Sequence, residues 1–182
     1  EYKKGPGQKP LDVINESIGD KKIIAEDLGV EIPEVAKLLE DNGYPGMKVL
    51  EFAFGGDRKN THLPYNYTQN IVCYGGTHDN ETLLGYFEER SDQELAYAYD
   101  YLDTTDKKKM VDQVFRAAYS SVAVLTVFAV QDILKLGNQA RMNLPSSLGN
   151  NWKWRMKKGQ AGFQRSRIRR NSVSRSLYTI LL

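Results

Sequence analysis

The sequence predicts an α/β fold of about four parallel strands with helices between them. Three observations carry this reading. Apolar segments begin near residues 23, 47 and 70, a recurrence of about 23–24 residues that fits βα units. Those segments are nearly continuous in apolar residues, as parallel strands covered on both faces are. The stretches between them carry helical spacing and helix start and stop signals.

Taken in order, "PLDVINESIG" places Leu11, Ile14 and Ile18 at helical spacing and stops at Gly19. "KKIIAED" follows as the first strand. "IPEVAKLLEDNG" is a helix with Pro33 in its first turn, Val35, Leu38 and Leu39 on one face, and Gly43 beyond its end. "MKVLEFAF" is the second strand, closed by Gly55 and Gly56. A long polar loop, "GGDRKNTHLPYNYTQ", leads to the third strand, "NIVCYGG". "THDNETLLGYF" turns into a helix, and "SDQELAYAYDYL" opens with a capping box, Ser91 with Glu94. "KKKMVDQVFRAAYSS" is a further helix, "VAVLTVFAV" the fourth strand, and "QDILKLG" a short helix ended by Gly137. Four such strands make either a small open sheet or half of an eight-stranded barrel. The second alternative puts chemistry at the C-terminal strand ends.

At 182 residues, 41% hydrophobic and 26% charged, the chain has the composition of an ordinary globular domain. No stretch approaches the roughly 18 apolar residues of a membrane span. The start "EYKKGPGQKP" has basic residues with no apolar run behind them, so no secretory signal is read there. The single cysteine, Cys73, rules out an internal disulfide and fits a reducing compartment. Its strand position makes it a small core residue, with a catalytic thiol as the alternative. A start at Glu1 rather than Met, and a lopsided charge, suggest a piece of a longer protein. Eleven of the 25 Lys/Arg and none of the 23 Asp/Glu follow Asp132, so an acidic body carries a basic tail.

Three stretches carry candidate chemistry. In "KIIAEDLG", Glu26 and Asp27 close an apolar run, and an unpaired buried carboxylate is costly. Neighbouring strand side chains point to opposite faces, so one acid faces a site and the other caps or binds backbone N–H groups. In "GGTHDNET", His78, Asp79 and Asn80 follow a strand and two glycines. Two acids at the ends of different strands, Glu26 and Asp79, are what glycoside chemistry requires: one protonates the leaving oxygen and the other supports an oxocarbenium-like centre. Strand-end capping and a helix N-cap at Asp79 or Asn80 are the plainer alternatives. A metal site is not supported, because His62 and His78 lack ligand spacing. In "LGNQARMNLPSSLGNNWKWR", amides and arginines suit sugar hydroxyls, and Trp152 and Trp154 suit ring faces. The alternative is a packed loop with both tryptophans on the core. The tail, "KWRMKKGQAGFQRSRIRRNSVSRSLYTILL", is basic enough to meet phosphates but has few aromatics for stacking on bases, so nucleic acid is an unlikely partner.

"KKIIAEDLGV", "YPGMKVLEFAF", "HLPYNYTQNIVCYGGTHDNET" and "QDILKLGNQARMNLP…GNNWKWR" resemble, in order, the 4-α-glucanotransferases, also called amylomaltases or disproportionating enzymes (glycoside hydrolase family 77). The resemblance runs from about residue 2 to about residue 160. It implies that residues 1–160 are the C-terminal part of a catalytic (β/α)8 barrel. It also implies transfer of α-1,4-glucan segments between maltodextrin chains by a retaining double displacement, without cofactor or metal, in the cytoplasm. On the matching positions, Glu26 resembles the general acid/base and Asp79 the transition-state-stabilising aspartate. His78 resembles its hydroxyl-binding neighbour and Asn143 a substrate-contacting asparagine. Arg141 and Asp27 join the substrate-binding set, Asp27 as a supporting residue. The acid/base role implies a Glu26 that keeps its proton near neutrality, through burial or a neighbouring carboxylate.

The departures are also specific. The family's nucleophilic aspartate would fall before Glu1, so the expectation is an inactive C-terminal half that needs its N-terminal half as partner. Tyr65 stands where His is common in the family, Ala129 where Pro is, and Ser146 where Gly is. Residues 161–182 do not resemble the family's amphipathic C-terminal helix. They read as an atypical basic tail, arising from a frame shift or incomplete gene end near Gln160. Reading the coding DNA in its other frames tests that origin.

Overall fold

The structure is a computed structural model that describes residues 3, 5–29, 32–160 and 178–181, the last four as backbone only. It is an α/β arrangement around a small parallel sheet. Strands β1 (Gly46–Val49), β2 (Ile71–Tyr74) and β3 (Leu125–Phe128) lie side by side in that order. Gly46 faces Ile71, and Val72 faces Leu125. A fourth short strand, β4 (Tyr178–Leu181), pairs in parallel with β3. The rest of the stretch 161–182, including the predicted tail, lies outside the described residues.

Of the four strands expected from sequence, three form. The first does not: residues 21–28 have no regular structure. Their one backbone hydrogen bond toward the sheet runs from Ala25 N–H to Pro45 O (3.1 Å), just before β1, and a second tie is made by the Asp27 side chain, which accepts from Met47 N–H (2.8 Å). A parallel strand needs a ladder of such bonds, and the apolar run alone does not provide one. The half-barrel expectation is therefore met here only as α/β with a small parallel sheet. The second predicted strand is also shorter than its apolar run. After Val49 the chain coils into a single 3-10 turn, Leu50–Phe52, which turns Glu51 off the strand.

Helix ends follow their cap chemistry. Helix α1 (Lys9–Ile18) ends at Gly19, and α2 (Pro33–Asp41) starts with Pro33 at its first position. Neither contributes a buried side chain. They are tied to each other by side-chain hydrogen bonds instead, from Gln8 and Asn15 to Asn42 and from the Tyr44 hydroxyl to Asn15. Helix α3 (Leu83–Glu88) has a start held from three segments. The Thr82 hydroxyl accepts from Gly85 N–H (3.1 Å), Asp132 from Leu83 N–H (2.8 Å) and Asn138 from Thr82 N–H (3.2 Å). Helix α4 (Asp92–Leu102) has the full capping box predicted for Ser91 and Glu94. Asp106 caps α5 (Lys107–Ser120), and α6 (Val130–Ile133) is a single turn after β3.

The core lies between the sheet and α3–α5. Leu83, Phe87, Leu95, Met110, Val111 and Val114 pack there with Leu50, Leu63 and Phe128. Cys73 sits inside it, close to the Tyr67 hydroxyl, and burial pushes its thiol up to about 12, so it is an inert core residue. The core has one polar defect in the sheet: Thr126 on β3 is fully buried and its hydroxyl has no hydrogen-bond partner. Thr126→Val keeps the shape and removes the stranded hydroxyl. The expected result is a gain of about 1 kcal/mol in urea unfolding. A loss of stability would show that the hydroxyl is satisfied after all.

Candidate active site

The site is built at the C-terminal ends of β1 and β2. Beyond Tyr74 the chain passes through Gly75 and Gly76 into the turn Thr77–Asn80. The Asn80 side-chain oxygen closes that turn by accepting from both the Thr77 N–H (2.9 Å) and the Thr77 hydroxyl (2.7 Å). The two glycines preceding it leave room for neighbouring side chains. A Cβ on Gly75 would lie 2.9 Å from the Phe128 ring, and one on Gly76 would lie 2.6 Å from a Glu51 carboxyl oxygen.

Two of the predicted stretches meet here. Asp79 Oδ1 accepts from the Asn143 amide at 2.6 Å and lies 3.3 Å from His78 Nε2. Arg141 donates through Nη2 to the Asp79 backbone oxygen (2.7 Å) and through Nε to the Asn143 backbone oxygen (2.9 Å). His78, Asp79, Arg141 and Asn143 therefore form one contiguous cluster. Trp152 joins it, with its ring centroid 5.1 Å from that of His78. The Trp152 side chain is 53% exposed, so for this residue the packed-loop alternative is corrected. Its backbone is held at φ +63° by a bond from its N–H to Met142 O (2.7 Å), a conformation costly for a bulky residue. Ser146 in the same loop has φ +60°, which explains why glycine would suit that position.

Beside the cluster is a cleft of about 260 Å3. Its acids are Glu51, Asp79 and Glu81, its cations Arg90 and Arg141, and its rings Phe52 and Tyr86, with Asn80 between them. Arg90 pairs with Glu81 (2.9 Å) and lies 3.6 Å over the Tyr86 ring. Burial would raise the Glu81 carboxyl, but the hydrogen bond and charge of Arg90 hold it below the usual range. Glu51 is the opposite case. It is only 5% exposed, and burial, with Asp132 and Glu81 nearby, pushes its carboxyl up to about 9 against the pull of Arg90 and Asn80. Sequence reading missed Glu51, Glu81 and Arg90 altogether. The one signal for Glu51 was an acid lodged inside the apolar run "MKVLEFAF".

The other predicted residues are placed differently. Asp27 turns to the backbone, where Oδ1 accepts from Met47 N–H (2.8 Å) at the start of β1. A Cβ on Gly46 would meet that carboxylate at 2.7 Å, so glycine leaves room for the contact. Glu26 is exposed and does not line the cleft, so the described residues do not supply the burial expected for an acid/base. Its charge is felt by Tyr74, the last residue of β2: burial raises that hydroxyl and Glu26 adds to it. His62 Nδ1 accepts from Val49 N–H (2.9 Å), which gives it a structural partner on β1. Among the described residues no group of three or more His, Cys, Asp or Glu side chains could hold a metal ion, and no helix is long and apolar enough to cross a membrane.

By fold and by chemistry, the chain falls among the α/β proteins that gather polar and aromatic side chains at the carboxyl ends of parallel strands. The family model described as 4-alpha-glucanotransferase matches residues 1–161, and the chain belongs to that family, glycoside hydrolase family 77. The 4-alpha-glucanotransferase of Clostridium butyricum is 48% identical over 155 residues, covering 85% of this chain and 32% of that protein. The chloroplastic/amyloplastic 4-alpha-glucanotransferase of Solanum tuberosum is 41% identical over 155 residues, covering 85% and 27%. Among solved structures, the Streptococcus agalactiae amylomaltase in complex with acarbose superposes with a TM-score of 0.80 at 38% identity, covering 88% of this chain and 32% of that one. The chain thus spans about a third of the length of the relatives it matches.

Proposed function

We propose that this chain is the part of a 4-α-glucanotransferase that supplies two of its three catalytic carboxylates, within one half of a (β/α)8 barrel. The observation that supports it most is the cluster of His78, Asp79, Arg141 and Asn143 at the C-terminal end of the parallel sheet, with Trp152 against His78. In this reading Asp79 stabilises the oxocarbenium-like transition state, with its carboxylate held by Asn143. His78, Arg141 and Asn143 meet substrate hydroxyls, and Trp152 offers a ring face. Glu26 protonates the glycosidic oxygen, then takes the proton from the incoming 4-hydroxyl of the acceptor. The substrates are maltooligosaccharides and related α-1,4-glucans. The compartment is the cytoplasm, although the Solanum tuberosum relative is named as chloroplastic/amyloplastic.

None of the acids in this chain matches the family's nucleophile, so no covalent glycosyl intermediate forms on it, and a second half completes the barrel. The expected result is no glucose release from maltotriose by the chain alone. Release at a rate comparable to a full-length 4-α-glucanotransferase overturns the assignment of Glu26 and Asp79 as an incomplete set. The exposed Glu26, apart from the cluster, favours a second reading in which the chain by itself binds glucan without acting on it. Calorimetry with acarbose separates the two: binding lost in Asp79→Ala and indifferent to Glu26→Gln is the signature of the binding module.

A further inference from the structure

Glu51 is the one buried acid of the cleft that the proposed mechanism does not use. It enters from β1, through the 3-10 turn Leu50–Phe52, whereas Asp79 enters from β2. The two strands are fastened just beneath the site by the bond from Glu51 N–H to Gly75 O (3.2 Å). The Glu51 side chain then passes under the next residue. Its Oε1 is so close to Gly76 that a Cβ there would lie at 2.6 Å, and it has no hydrogen-bond partner. The same hypothetical Cβ lies 3.2 Å from the Asn80 Cβ, so Gly76 is held between the acid and the residue that closes the turn.

We propose that Glu51 is a positioning residue: its carboxyl group is the seat on which the Gly76–Asn80 turn rests, and it sets where Asp79 stands. The seat works as a neutral acid. An ionised carboxylate with an unpartnered oxygen against the Gly76 backbone would be costly in a buried site. It would also add negative charge where Asp79 and Glu81 already line the cleft. The groups facing Glu51 are Glu81 and Arg90 on either side of α3, Tyr86 on α3, Asp132 on α6 and Asn80 in the turn. Burial together with the two acids outweighs Arg90 and Asn80, so the proton is retained to about pH 9. This does not depend on the chain acting on glucans, because it concerns the conformation of the turn.

The test is a pH titration of this chain followed by amide NMR at Gly76, Thr77, His78, Asp79 and Asn80. The expected result is one shared transition centred near pH 9. Glu51→Gln, a neutral isostere, should abolish the transition and fix the turn at its neutral-pH shifts, while far-UV circular dichroism at pH 6 stays at its parent value. Glu51→Asp, which withdraws the carboxyl by one methylene, should displace the same five resonances at pH 6. Tyr86, whose hydroxyl is raised by burial, is controlled by Tyr86→Phe, which should leave the transition in place. Resonances that stay still between pH 7 and 10, or that move identically in Glu51→Gln, overturn the proposal. Displacement of the turn at pH 6 by Glu51→Gln also overturns it, since the neutral isostere should seat the turn as the acid does.

Discussion

Replacing Phe128 with alanine should destabilise the chain by about 3–5 kcal/mol, the usual cost of deleting a fully buried phenylalanine. Phe128 is 0% exposed at the end of β3. It meets the Phe115 ring edge-on, with centroids 4.5 Å apart, and Tyr119 at 5.7 Å. It also lies against Gly75, where the backbone leaves β2 for the site. Truncation therefore opens a cavity between α5 and the sheet that the fixed backbone of β2 cannot fill. Stability of a domain this size is on the order of 5–15 kcal/mol, so the loss is a large share of it. The check is urea unfolding, expected to show a lower midpoint at unchanged slope. A change below about 1 kcal/mol would mean that the Phe115, Tyr119 and Phe128 cluster is not the packed unit described.

The second large effect is on pH. Two buried carboxyls are held above their ordinary range, Glu51 up to about 9 and Asp132 up to about 7. Burial is the first cause in both, and backbone N–H groups at Leu83 and Ala129 only partly offset it for Asp132. In the unfolded chain both release their protons near pH 4. The folded state therefore binds more protons above that point. The contribution of these two groups is fully present below about pH 4 and is lost progressively as pH rises, up to about 7 for Asp132 and about 9 for Glu51. One pKa unit is about 1.4 kcal/mol, so the combined loss amounts to several kcal/mol by pH 9. The melting temperature should peak in mild acid and fall steadily toward alkaline pH. Combining Glu51→Gln with Asp132→Asn should flatten the curve. A parent melting temperature that is level or rising between pH 5 and 8.5 contradicts this.

Local rules were legible in the sequence wherever a side chain and its partner are close along the chain. Ser91 with Glu94, Pro33 at a helix start and Gly19 at a helix end all act as their spacing implies. The pairing of "GGTHDNET" with the "ARMN" segment was visible as chemistry, since both are rich in groups that suit hydroxyls. Their contact, Asn143 to Asp79, spans 64 residues, and no local pattern encodes such a distance. The strand at "KKIIAED" failed because an apolar run shows burial propensity, whereas a strand also needs a neighbour to pair with. Glu51 was missed for a related reason. "MKVLEFAF" reads as one strand through Phe54, and only the turn at Leu50 converts its acid from a mid-strand oddity into a strand-end group.

The helices α1 and α2 bury no side chain, and they flank the segment that carries Glu26. The consequence is a division in amide hydrogen exchange. Little apolar burial opposes the opening of α1 and α2, so their amides exchange through local openings that leave the core intact. Asp79 stands in the turn just beyond β2, a strand whose buried amides exchange only when the core opens. The two acids proposed to share one reaction thus belong to parts of the chain with separate lifetimes, and their mutual geometry is governed by the shorter one.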